Sequence, residues 1–216
     1  MEVGSQKYVY DFALVDIENI NPSFAKAKLR VAYHGENRNK SYITKETFQN
    51  AIPSAFNCPI VANFIEEKGD FGSHDIEIKK DDKGEYKIAN LTQPIGFIPE
   101  SANFWWEECV EENGDKKEYL WFDVILWRRQ EAFECIVNKE FVKHSMEISV
   151  VDGSTKNGLF YINDFYFTAF CLLGEDVEPC YESSALMFAN KCEQAEFTAS
   201  CQEMFKDFKE SLAFDD

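Results

Sequence analysis

The 216 residues suffice for one domain with a sizeable core, and an apolar share of 45% that includes twenty Phe argues against a disordered bulk. A formal net charge of −17 opposes the phosphate backbone that a nucleic-acid binder neutralises with a basic stripe, so nucleic acid is not an expected ligand. Seven scattered cysteines without a CxxC pair argue against a disulfide framework and a structural zinc site, which leaves reduced thiols as the expected state.

No basic-then-apolar signal precedes the first predicted strand, and no apolar run approaches the roughly 18 to 20 residues of a membrane helix. A soluble, intracellular protein with no membrane partner is expected. The first strand is "AKAKLRVAYHG" (25–35). Thr44 is the predicted N-cap of a helix whose face is Phe48, Ala51 and Ile52 and which ends at Pro53. "CPIVANFI" (58–65) reads as a short buried strand. "HDIEIKK" and "EYKIANL" pair across "DDKGE" (81–85), with Ile76 and Ile78 on one face of the first strand and Tyr86 and Ile88 on one face of the second. "TQPIGFIPES" carries two prolines and is predicted as an extended edge or loop.

"KEYLWFDVILW" (117–127) is a strand, and Ala132, Phe133, Ile136 and Val137 set one face of a helix over 128–139. In "KHSMEISVVDG" (143–153), Ser145, Glu147 and Ser149 fall on one face, Met146, Ile148 and Val150 on the other. "LFYINDFYFTAFCLLG" (159–174) continues in the same style. Beyond the acidic, turn-rich stretch that follows, Phe197, Cys201, Met204, Phe205, Phe208 and Leu212 recur at helical spacing. The expected organisation is a domain over 1–187 and an amphipathic helical extension over 188–216.

Three histidines invite separate weighing. His34 in "YHGENRN" reads as a surface turn residue. His144 adjoins Ser145, but neighbouring strand residues face opposite ways, so it is poorly placed to activate that serine. His74, in "GDFGSHDIEI", admits three readings: a catalytic base, a metal ligand with Glu66, Glu67 and Asp70, or a turn residue. The metal reading is weakened by the lack of a second histidine at i+4, and acid-rich loops in so acidic a chain are usually only solvated.

The ordered series "AYHGENRNKSYITKETFQNAIPSAFNCPIVANFI", "GSHDIEI", "NLTQPIGFIPES", "HSMEISV" and "FTAFCLLGEDVEPCYESSA" resembles the prohead protease family of tailed bacteriophages, in the form common in phages and prophages of Gram-positive bacteria. The resemblance runs from about residue 25 to 187. It implies a serine protease of the herpesvirus assemblin type: an α+β fold, a mostly antiparallel curved β-sheet or barrel flanked by helices, with the C-terminal amphipathic helix appended. His74 takes the position of the base and Ser145 that of the nucleophile. The substrates implied are phage scaffold and major capsid proteins, cleaved within the prohead in the host bacterial cytoplasm; no cofactor or metal is implied. The C-terminal helix would dock on scaffold, capsid protein or another copy of itself.

Two departures from the family pattern stand out. The strand expected to supply a third catalytic residue has Thr168, Ala169 and Phe170 there, which leaves Glu147, Asp164 and Asp75 as candidates. Glu147 is favoured because it shares the face of Ser145. No arginine follows Arg129, so the oxyanion must be held by groups other than the arginines of the herpesvirus enzymes. A catalytically degenerate assembly or scaffolding protein is the alternative.

Overall fold

Ala27, Leu29 and Val31 are buried while the alternating Lys26 and Lys28 are exposed, the period of two that a strand with one wet face requires. They lie in β1 (Phe24–Tyr33), the first of fourteen strands in a computed structural model that describes residues 23–111, 113–139 and 141–187. After it come β2 (Gly35–Glu36), β3 (Ser41–Ile43), α1 (Lys45–Ala55), β4 (Pro59–Ala62), β5 (Phe64–Ile65), a 3-10 turn (Glu66–Lys68) and β6 (Asp70–Phe71). Next are β7 (Ile76–Lys80), β8 (Tyr86–Asn90), β9 (Gln93–Phe97), β10 (Phe104–Val110) and β11 (Lys116–Trp127). The series closes with α2 (Glu131–Val137), β12 (Val142–Lys156), β13 (Leu159–Leu172) and β14 (Ala185–Met187).

Seven strands form a closed ring in the order β12, β14, β1, β11, β9, β4, β13, with β13 pairing back onto β12. Strand direction cannot alternate all the way round a ring of seven. The one parallel contact this forces falls between β13 and β4, where Phe170 meets Ile60 and Cys171 meets Val61. Strands β2 and β3 extend the sheet from β13, and β10 extends it from β11.

The expected α+β class is therefore corrected: the fold is mostly β, a closed seven-stranded barrel with two α-helices among the described residues, and it is not a helix-flanked assemblin fold. The sheet folds round on itself into a barrel, and α1 packs on β13 with Phe48 against Phe165 and Phe167. The pairs that close the ring join Leu29 to Leu186 and Ile60 to Gly96 and Phe170, contacts that no local periodicity reveals.

Several local features follow from single residues. The Thr44 side chain accepts a hydrogen bond from the Thr47 amide at 3.0 Å and caps α1 as predicted. The helix does not stop at Pro53 but runs to Ala55, because the lost N–H falls in the last turn and costs a single bond. β9 is not an edge: it lies between β11 and β4, with Pro94 opposite a bulge at Ile60/Val61 where a missing donor is tolerated. Gly96 is required there, since a Cβ would collide with the Ile125 carbonyl oxygen. β10 has no counterpart among the predicted strands because three successive aromatics, Phe104 to Trp106, mask its alternation. Strands β7 and β8 pair as predicted, with Ile78 opposite Ile88, and form a separate sheet on which Ile76, Ile78, Tyr86 and Ile88 are all exposed. The predicted helical extension, 188–216, lies outside the described residues.

His144 is fully buried, packs on Phe170 and donates through Nε2 to the Arg30 carbonyl at 2.8 Å. Burial pushes its pKa down from 6.5 to about 4, so the imidazole is neutral in the folded protein. The unfolded chain binds the extra proton between those values, so stability is full above about pH 6.5 and falls as the pH drops toward 4. The loss should approach about 3 kcal/mol at roughly 1.4 kcal/mol per pH unit. Urea unfolding at pH 7, 5.5 and 4.5 is expected to show this decline, and a His144→Gln protein should show a shallower one.

Candidate active site

The loop between β6 and β7 carries His74, and its shape is dictated by its neighbours. The Asp75 carboxylate turns back to accept from the Ser73 amide and from Asn63 Nδ2, both at 2.8 Å. Those two bonds, the Ser73 amide first, hold its pKa below the usual carboxylate range. Only a glycine fits at residue 72, where a Cβ would collide with Asp75 Oδ2 and stand 2.9 Å from Asn63 Nδ2. Backbone bonds from Gly72 to Asn63 and from Gly174 to Gly72 press the loop onto the barrel wall. Within "GSHD", the glycine supplies room and the aspartate a clasp, and the histidine between them is turned outward.

The wall beneath is the β12–β13 ladder. Ser145 stands opposite Cys171 and Glu147 opposite Ala169, ahead of a bulge at Glu147/Ile148. Alternation turns His144 and Met146 toward the core and Ser145 and Glu147 to the outer face. His74 Nδ1 lies 2.8 Å from Glu147 Oε1. With the carboxylate accepting from Nδ1–H, Nε2 is left as the free acceptor of the ring. Directly opposed side chains on an antiparallel pair have Cβ atoms about 4.5–5.5 Å apart, which sets Ser145 beside Cys171. Cys171 Sγ in turn lies within 4.8 Å of the ligand atoms of His74 and Glu147. A cleft of about 180 Å³, lined by His74, Asp75, Ile76, Asn90, Thr92 and Glu147, opens over the pair.

A family model described as the YonD N-terminal domain matches residues 23–208. The chain belongs to that family. It is a phage- and prophage-associated family. No curated protein and no solved structure matches the chain.

The family match spans the barrel and the His74 loop together, so every residue of the site falls within it. Of the three candidates for a group that orients His74, only Glu147 touches the ring. Asp75 is spent on the loop clasp. Asp164 is opposite Asp152, five residues or about 16 Å along β12 from Glu147. The acids weighed as metal ligands are also dispersed: Glu66 and Glu67 are exposed on the 3-10 turn, and Asp70 pairs with Lys139 at 2.9 Å. His34 is a surface residue 3.3 Å from Glu118.

Two residues of the site were not singled out from the sequence. Asn63 has no local signal, because its role appears only when the loop folds back on it. Cys171 could not be found from register alone: counted back from the Lys156–Leu159 pair, Ser145 would face Phe170, and the irregularities in the β12–β13 ladder shift it to Cys171. Its thiol is fully buried, and burial, reinforced by the Glu147 and Asp75 charges, pushes its pKa up to about 12. A thiol in that state is not an activated nucleophile, whereas Ser145 is partly exposed beside it.

Proposed function

We propose that the protein is a serine endopeptidase that cleaves scaffold and capsid proteins inside the phage prohead during capsid maturation. The observation that carries this reading is the 2.8 Å contact between His74 and Glu147 on the barrel face that presents Ser145. A serine hydroxyl is a poor nucleophile until a neighbouring imidazole takes its proton, and an imidazole is an efficient base when a carboxylate fixes its tautomer. Ser145, His74 and Glu147 supply those three parts. The phage association of the family supports the setting, the host bacterial cytoplasm, and the resemblance of the ordered motifs supports the substrate class.

In this mechanism Ser145 Oγ attacks the scissile carbonyl carbon as its proton passes to His74 Nε2. The tetrahedral intermediate collapses, His74 gives the proton to the leaving amine, and an acyl ester remains on Ser145. Water, deprotonated by the same imidazole, then releases the acid and restores the hydroxyl. Glu147 holds the ring in place throughout and stabilises the imidazolium. The amphipathic stretch around Phe197 to Leu212 is assigned to docking on scaffold, capsid protein or another copy.

The test is co-expression with the scaffold and major capsid proteins of the same phage, followed by mass spectrometry of the products. Shortened capsid or scaffold chains are expected with the native protein and full-length chains with Ser145→Ala. Full-length chains in both cases would reassign the protein as a non-catalytic assembly factor; cleavage that persists in Ser145→Ala would displace the nucleophile.

A further inference from the structure

We propose that His74, Glu147 and Cys171 together form a binding site for one thiophilic divalent cation of the zinc class, and that the bound ion switches the proposed hydrolase off. The second half of that statement rests on the protease reading above; the first does not. One ligand atom from each of the three side chains lies within 4.8 Å of the others. They come from three segments: the clasped loop before β7, β12 and β13. Two of those are adjacent strands of the closed barrel, so the Glu147 and Cys171 backbones are fixed in register, and the loop is pinned by Asn63 and Asp75.

Zinc bonds of about 2.0–2.3 Å in a tetrahedron place ligand atoms roughly 3.3–3.6 Å apart. The His74–Glu147 contact of 2.8 Å would open slightly and the widest pair close by about 1 Å, within the reach of side-chain torsions. One thiol, one imidazole and one carboxylate suit a borderline-soft ion; magnesium and calcium call for six or more oxygens, and only one carboxylate is offered. Three protein ligands leave a fourth position, and the cleft above His74 and Glu147 has room for a water there. The net charge of −17 raises the local concentration of any cation. As the metal–sulfur bond forms, the Cys171 thiol proton leaves to solvent.

The consequence for the proposed chemistry is exclusion. An ion on the His74 imidazole and the Glu147 carboxylate occupies the base and the group that orients it, so Ser145 has no proton acceptor until the ion leaves. The fold supplies the other two ligands from β12 and β13, distant in sequence, rather than from Glu66, Glu67 and Asp70 near His74.

Cobalt(II) is the probe, because zinc has no d–d spectrum. The full chain, reduced and metal-free, is expected to bind one equivalent with a thiolate-to-cobalt charge-transfer band in the near ultraviolet that zinc displaces. Cys171→Ala should abolish the band, Cys180→Ala should keep it, and His74→Ala or Glu147→Gln should weaken binding by about 100-fold or more. His74 and Glu147 are surface groups, so those two variants report even if Cys171→Ala does not fold. A band that survives in Cys171→Ala, or no band in the native protein, overturns the site. In the cleavage assay, saturating zinc should stop product formation and a chelator restore it. Cleavage untouched by zinc refutes the switch. Absence of any cleavage alongside a Cys171-dependent band refutes the protease reading, and the switch with it, while the metal site stands.

Discussion

Replacing His74 by alanine is expected to lower cleavage by about 10⁶-fold, and Ser145→Ala by about as much, with the double variant no worse than either alone. The non-additivity is the informative part. A nucleophile and its base act as one unit: without the imidazole the hydroxyl keeps its proton, and without the hydroxyl the imidazole has nothing to activate. Two unconnected residues that merely stabilised the fold would instead add their effects. His74 is exposed on a loop clasped by the Asp75 carboxylate rather than by its own ring, so His74→Ala should fold like the native protein. Equal urea midpoints for His74→Ala and the native chain check that directly. A His74→Ala protein with native stability and native cleavage would remove the base from the mechanism.

The parts of the site that lay within one strand were legible in the sequence, and the parts that needed closure of the barrel were not. Alternation in "HSMEISV" separated Ser145 and Glu147 from His144, and the structure has His144 in the core and the other two outside. The same reasoning found the β7–β8 hairpin across residues 81–85. It left open whether the curved sheet closes into a barrel. Closure depends on β9, whose Pro94 reads locally as an edge or loop, and on β14, three residues inside a turn-rich stretch. The α+β expectation, a curved sheet or barrel flanked by helices, came with the resemblance, and it failed because strands dominate and only two helices accompany the barrel among the described residues. The role of Asp75 was hidden for a related reason. Alternation already points it away from His74 if the chain is extended, but what its carboxylate reaches instead, Ser73 and Asn63, appears only in the fold.

That distinction gives the second large effect. Glu147→Gln is expected to cut kcat by about 10³-fold with the fold unchanged. Removing the carboxylate beside a catalytic imidazole costs about 10⁴ where the pair is buried. His74 and Glu147 are each about one-third exposed, at 37% and 36%, so solvent screens part of the interaction and the smaller figure applies. Glu147→Asp should not rescue the activity, because a side chain shorter by one methylene no longer reaches Nδ1 from the β12 backbone. Asp75→Ala works differently: it leaves the Ser73 amide and Asn63 without their acceptor, loosens the loop, and should cost about 1–3 kcal/mol of stability while activity falls in proportion to the misplacement of His74. The two variants are therefore separable by thermal unfolding. A Glu147→Gln protein that unfolds early, or an Asp75→Ala protein that is stable but equally inactive, would exchange the two roles and make Asp75 the carboxylate that orients the base.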